Sequence, residues 1–130
     1  VIYYFCPFCW EELKDNLIIC PNCNSDLRKF SSMPFEEKLI YALKHPVREI
    51  RKTAIFIIGL KKMRSAIKEL EKILIYEEDS IMIIEILNSL KNIGTEEAME
   101  IIERFKFHSS SLISSYINKF LVHKPINDNN

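Results

Sequence analysis

Four cysteines, Cys6, Cys9, Cys20 and Cys23, fall inside the stretch "CPFCWEELKDNLIICPNC", and the chain has no others. Thiols so placed could form two disulfides, a redox pair or one metal site. The pattern is C-x2-C, ten residues, then C-x2-C. Two residues between thiols let backbone N–H groups turn back toward the sulfurs, and two such turns can close a tetrahedral site. Disulfides are disfavoured in a reducing compartment. A thioredoxin-like pair would be a single CxxC beside a βαβ pattern, and this stretch has neither. The spacing therefore points to one metal held by four thiolates. No ligand position is left for water and no His lies in the segment, so the expected role is structural. Zinc is the expected ion, with iron as its rival because thiolate sites discriminate weakly by affinity alone.

These turns resemble the short zinc-ribbon module that reads Cys-Pro-x-Cys-Gly, a hairpin, a second Cys-Pro-x-Cys-Gly and then a leucine. Pro7, Pro21 and Leu27 match, while the two glycine positions hold Trp10 and Asn24. Asn tolerates the left-handed backbone that such a glycine often adopts, and Trp suits it less well. The resemblance spans residues 1–28 and implies zinc. Two CPxC turns also resemble rubredoxin, which would imply a redox iron, but rubredoxins carry a much longer, aromatic-rich insert between the pairs.

The elements around the cysteines follow from composition and periodicity. The chain has 130 residues, 48% hydrophobic and 28% charged, which suits a folded protein rather than a disordered one. Only Gly59 and Gly94 are glycine, which argues against a β-rich or glycine-loop enzyme and for helices. No apolar run reaches the length of a membrane span, and Val1–Phe5 lacks the form of a signal peptide, so the expected location is cytoplasmic. The net charge of zero conceals a gradient: residues 34–75 carry +5 and residues 76–130 carry −4. Solvated helix faces account for such runs more readily than a steering field does.

From Ser32 onward, apolar residues recur at steps of three and four. Ser31 and Ser32 ahead of Pro34, Glu36 and Glu37 read as a helix start, followed by Phe35, Leu39, Ala42 and Leu43. His45-Pro46 separates that helix from a second, with Val47, Ile50, Ala54, Ile57 and Ile58 on one face and Gly59 as its stop. Ala66, Ile67, Leu70, Ile73 and Leu74 mark a third. Asp79 or Ser80 caps a fourth, "SIMIIEILNSLKNIG", which is apolar nearly all round and so expected to be buried on several sides. Gly94 ends it, Thr95 with Glu96 and Glu97 starts a fifth, and Ser109–Ser111 start a sixth bearing Leu112, Ile113, Tyr116, Ile117, Phe120 and Leu121. Lys124-Pro125 closes the pattern, and residues 124–130 read as a disordered tail.

Ile57–Leu70 aligns with Ser89–Ile102 at a shift of 32, placing Ala66 on Ala98, Ile67 on Met99 and Leu70 on Ile102. The stretch "HPVREIRKTAIFIIGLKKMRSAIKEL" resembles the HEAT-like repeats of the phycobilisome-lyase type, roughly "DP…VRxxAxxALGxxxxxxAIxxL". Pro46, Ile50, Arg51, Ala54, Ile58, Gly59, Ala66, Ile67 and Leu70 match; His45 replaces the usual acidic residue, and Lys62 replaces the second glycine of the turn. The resemblance implies a short α-solenoid of helix pairs over residues 34–123, preceded by the ribbon over 1–30. A solenoid's first repeat has one uncovered face. Trp10, Leu13 and the aromatics from Tyr3 to Phe8 are expected to cover it.

Catalytic machinery is hard to find. His45, His108 and His123 stand at no spacing that suggests a base or a metal site, and lyase activity belongs to some relatives of the repeat only. The expected function is a non-enzymatic protein–protein adaptor stabilised by zinc. Two alternatives are open. A basic set, Arg48, Arg51 and Lys52 followed by Lys61, Lys62 and Arg64, could contact nucleic acid or a partner, although such runs are more often solvated or structural. An iron-carrying redox module is the third reading. The last helix, with Tyr116 and Phe120, is a candidate partner-facing or self-associating end.

Overall fold

Seven α-helices and no β-strand occur among residues 4–121, the part of the chain that this computed structural model describes. Tyr3, His123 and the segment expected to be a tail lie outside the described residues. The described residues divide between Ile55 and Phe56 into two compact units.

The first unit holds the cysteine segment, α1 (Arg28–Ser31), α2 (Phe35–Ala42) and the opening turns of α3 (Arg48–Leu60). The two serines do not cap α2, contrary to expectation. Ser31 Oγ and Ser32 Oγ donate back to the carbonyls of Arg28 and Lys29, closing the short α1 instead. Pro34 occupies the cap position of α2, where its fixed φ suits a helix entry. Between α2 and α3, His45 Nδ1 accepts the Val47 N–H at 3.0 Å. An aspartate in that position would do the same, which explains how a His can stand there. Burial and the nearby Arg51 push the His45 pKa down, which keeps the ring neutral and Nδ1 free to accept.

Arg51 reaches back from α3 and donates to the carbonyls of His45 at 2.8 Å and Pro46 at 3.1 Å, clamping the loop ahead of its own helix. The inward side of α3 also differs from expectation. Val47 and Ile50 are exposed, whereas Ala54, Ile55 and Ile58 are buried. Ile55 thus belongs to the apolar stripe.

The second unit holds the rest of α3, α4 (Ile67–Tyr76), α5 (Ser80–Ile93), α6 (Glu96–Arg104) and α7 (Ser111–Tyr116). Helix α5 packs against α4, α6 and α7, and its buried side chains include Met82, Ile83, Ile86, Leu87, Leu90 and Ile93. A helix so uniformly apolar can only be stable with neighbours on several sides. Asp79 caps it by accepting from the Ile81 and Met82 N–H groups, and Gly94 ends it in the left-handed conformation at φ 70°. Thr95 then accepts from the Ala98 N–H to start α6. His108 Nδ1 accepts the Ser110 N–H at 3.0 Å, repeating ahead of α7 what His45 does ahead of α3. Shifted by 32 residues, Arg48–Leu60 becomes 80–92, and α5 runs Ser80–Ile93.

Gly59 does not stop α3. It lies inside the helix, where an added Cβ would stand 2.9 Å from Ser89 Cα on α5. The helix is closed instead, two residues past Leu60, by Lys62, whose φ is 51°. Its N–H reaches the Gly59 carbonyl while the Met63 N–H reaches that of Ile58, the paired bonds of a Schellman end. The two positions therefore respond oppositely to substitution. Gly59→Ala forces apart two helix backbones and costs about 1–3 kcal/mol. Lys62→Gly removes a left-handed side-chain penalty and gains about 1 kcal/mol. Urea unfolding of the two variants measures both, and a neutral Gly59→Ala would mean that α3 and α5 are not in close contact.

Candidate metal centre

The two knuckles are the same backbone device built twice, fourteen residues apart. In the first, the Cys6 N–H donates to the Glu11 carbonyl and the Trp10 N–H to the Cys6 carbonyl; in the second, Cys20 donates to Ser25 and Asn24 to Cys20. Leu13 bonds to Tyr4 as Leu27 bonds to Ile18, each at 2.8 Å. Single antiparallel bridges, Phe5 with Glu12 and Ile19 with Asp26, complete each half. Trp10 and Asn24 both sit at φ 63°, the left-handed turn that brings the chain back past its cysteines. The sequence carries this duplication as Cys6/Cys20, Cys9/Cys23 and Leu13/Leu27. The leucine correspondence marks Leu13 as a core residue of the cysteine segment rather than part of a helix cover.

Cys6, Leu13, Cys20 and Leu27 form the buried cluster of this segment, with Phe8, Cys9 and Cys23 packed around it. Two of its four buried members are thus thiols. The four sulfurs all lie within 4.8 Å of one another, with Cys6 Sγ 3.7 Å from Cys23 Sγ and Cys9 Sγ 3.8 Å from Cys20 Sγ. None is joined in a disulfide. Thiolates about 2.3 Å from a tetrahedral ion stand about 3.8 Å apart, so this donor set fits a four-coordinate soft metal. Tetrahedral sulfur coordination suits zinc or iron.

The surroundings of the sulfurs differ. Burial pushes the Cys6 thiol up to about 12, partly offset by the backbone N–H groups of Cys9 and Phe8. Cys23 is lowered to about 6 by the Ser25 hydroxyl, whose Oγ lies 3.2 Å from its sulfur. Asn22 Nδ2 donates to Cys9 Sγ at 3.5 Å. A bound cation would hold all four as thiolates and tie the two knuckles together.

The first knuckle carries apolar side chains outward. Phe8 meets Phe30 edge-on at 5.9 Å and Tyr41 at 5.5 Å between ring centres. Trp10 Nε1 donates to the Tyr41 carbonyl at the end of α2 at 2.9 Å, and its ring lies 4.6 Å from that of His45. Phe5 also reaches His45 at 6.0 Å. Phe8, Trp10 and Phe5 therefore lie against the region of α2. Leu13 does not, because it points into the buried cluster of the cysteine segment, and Tyr4 is exposed. The duplicated positions in the second knuckle, Asn22 and Asn24, are polar.

The other sequence-derived candidates are not drawn to this centre. Arg51 is spent on the loop before α3, and Arg48 pairs with Glu49 at 3.0 Å. Lys52 is half-buried, while Lys61, Lys62 and Arg64 lie exposed in the turn after α3. The Tyr116 ring lies 5.1 Å from that of the half-exposed Phe120. Lys91 Nζ donates to the Phe120 carbonyl at 2.6 Å, in a wide-turn stretch where the regular helical bonding of α7 has given way.

No protein-family model, curated protein or solved structure matches the chain. The four-cysteine cluster fits a zinc-ribbon-like module joined to a helical chain. No helix among the described residues is long and apolar enough to cross a membrane.

Trp10 at a positive φ is a strained choice offset by its contacts, so a simple glycine rule fails there. Trp10→Gly relieves the backbone yet lowers stability by about 2 kcal/mol, through loss of the ring packing and the bond to Tyr41. Asn24→Gly changes stability by less than about 0.5 kcal/mol. Chemical unfolding of the metal-loaded variants separates the two, and a stabilised Trp10→Gly would refute the contact with α2.

Proposed function

We propose that the protein is a non-enzymatic protein–protein adaptor, with a zinc ribbon over residues 1–30 and a short HEAT-like array over 34–123. The observation that carries the adaptor reading is the exposure of large apolar side chains at the end of α4 and in the turn after α6. Ile75 is 63% exposed, Tyr76 85% and Phe107 87%. Glu71 and Arg104, about one turn ahead of Ile75 and Phe107 in the chain, approach to 3.5 Å. Two aromatics and an isoleucine this exposed, beside charged residues, have the composition of a partner-binding patch. Sequence periodicity does not single them out, since each reads as an ordinary apolar position near a helix end.

The repeat reading rests on the coincidence of α3 with α5 at the shift of 32 and on the equal burial of Ala66 with Ala98 and Leu70 with Ile102. Zinc is preferred to iron because the ten residues between the cysteine pairs leave little to shield a redox centre. The ribbon serves as the cap of the array by resting Phe8 and Trp10 on α2. Cytoplasmic location accords with four cysteines that are not paired.

A tagged pull-down from native cells, with and without nuclease, tests the adaptor. A stoichiometric protein partner should survive nuclease and be lost, or weakened at least about tenfold, in Tyr76→Glu with Phe107→Glu. Co-purifying nucleic acid alone would transfer the function to the set that includes Lys61, Lys62 and Arg64. On the same protein, a chelator should lower the helical melting temperature and shift Trp10 fluorescence to the red, since metal binding energy becomes folding energy. Trp10 is the chain's single tryptophan, so its emission reports on this region alone.

A further inference from the structure

The duplicated knuckles place their cysteines in two unlike pairs. Cys6 and Cys20, the first cysteine of each turn, are both 0% exposed and belong to the buried cluster with Leu13 and Leu27. Cys9 and Cys23, the second of each turn, are only partly buried. The side-chain hydrogen bonds follow the same division. Asn22 Nδ2 donates to Cys9 Sγ at 3.5 Å, and the Cys23 thiol donates to Ser25 Oγ at 3.2 Å; toward a Cys23 thiolate the hydroxyl would be the donor. Both partners come from the second knuckle. At the corresponding places in the first knuckle, fourteen residues earlier, stand Phe8 and Glu11. Phe8 has no polar hydrogen and is occupied with Phe30 and Tyr41; the carboxylate of Glu11 can only accept. The duplication has therefore diverged, keeping an apolar docking side on the first knuckle and hydrogen-bond donors on the second.

We propose that metal enters and leaves through the Cys9–Cys23 side, with Cys6 and Cys20 as the fixed anchor and Asn22 and Ser25 as the positioning residues that set the exchange rate. This rests on the metal reading above. An incoming soft ligand, a thiolate or a multidentate chelator, forms its bond as the bond to Cys23 or Cys9 breaks, and the freed thiolate takes a proton from water. No electron changes hands. Loss of the Asn22 or Ser25 hydrogen bond leaves the side chain less fixed and its thiolate more readily protonated once it has moved away, so the partly buried cysteines leave their places more readily. The class of acceptor is accordingly a thiol-rich or chelating one that can approach the open side.

The test uses the whole chain loaded with zinc and treated with EDTA, with release followed by a metallochromic dye. Asn22→Ala and Ser25→Ala should each release metal about tenfold faster than the parent. Ser25→Thr, which keeps the hydroxyl, should stay close to the parent, and the metal-loaded melting temperatures should remain within a few degrees of one another. In parallel, limiting N-ethylmaleimide with peptide mapping should label Cys9 and Cys23 before Cys6 and Cys20. Unchanged release in both alanine variants, or labelling that starts at Cys6 or Cys20, overturns the proposal while leaving the metal site standing. A chain that takes up no metal overturns both.

Discussion

Four cysteine sulfurs lie within 4.8 Å of one another, and as thiolates they would repel unless a cation lay among them. A segment of this size with one small buried cluster has little apolar surface to hold it, and domains below about 40 residues usually need a metal or disulfides. Two of the four buried side chains also belong to the cysteine cluster, so core and candidate metal site share residues. Everything that the knuckles present outward depends on that closure. Phe8 sits between two ligands in sequence, and Trp10 comes directly after one, so their positions on α2 are set by the turns that aim the sulfurs.

Trp10 shows how strain and contact are traded at such a point. The turn requires a left-handed residue after the second cysteine, and a glycine would supply it at no steric cost. A tryptophan there is held by an indole N–H on a carbonyl and by a ring against His45. His45 in turn must stay neutral to accept from Val47, and Arg51 secures the same loop through two carbonyls. Knuckle, junction and helix start are linked by short, directional bonds rather than by a large core.

Much of this is legible in the chain. Capping residues Asp79 and Thr95, the left-handed Gly94 and the uniformly apolar α5 stand where the sequence puts them, because each is a local signal. The failures share a cause. Gly59 looks like a helix stop until a serine on another helix is found 2.9 Å from where its Cβ would be. Ser31 and Ser32 look like a cap for α2 but close α1, since one hydroxyl can bond in either direction. Leu13 reads as part of a helix cover while the fourteen-residue duplication is seen only through its cysteines and prolines. Val47 and Ile50 match a helical stripe yet lie exposed, since periodicity fixes a face but not its edges.

The sequence by itself determined the ligand types, their spacing and the alternation of helix and turn, because thiol chemistry, capping and periodicity act over a few residues. It also set the unlike knuckles, Phe8 and Trp10 against Asn22 and Asn24. Only the tertiary structure decided what those differences do. The side of the sulfurs that is buried, the carbonyl that receives the Trp10 indole and the serine that requires Gly59 are all relations between distant parts of the chain. Such relations depend on how surfaces meet in space, and no short window of residues contains both surfaces.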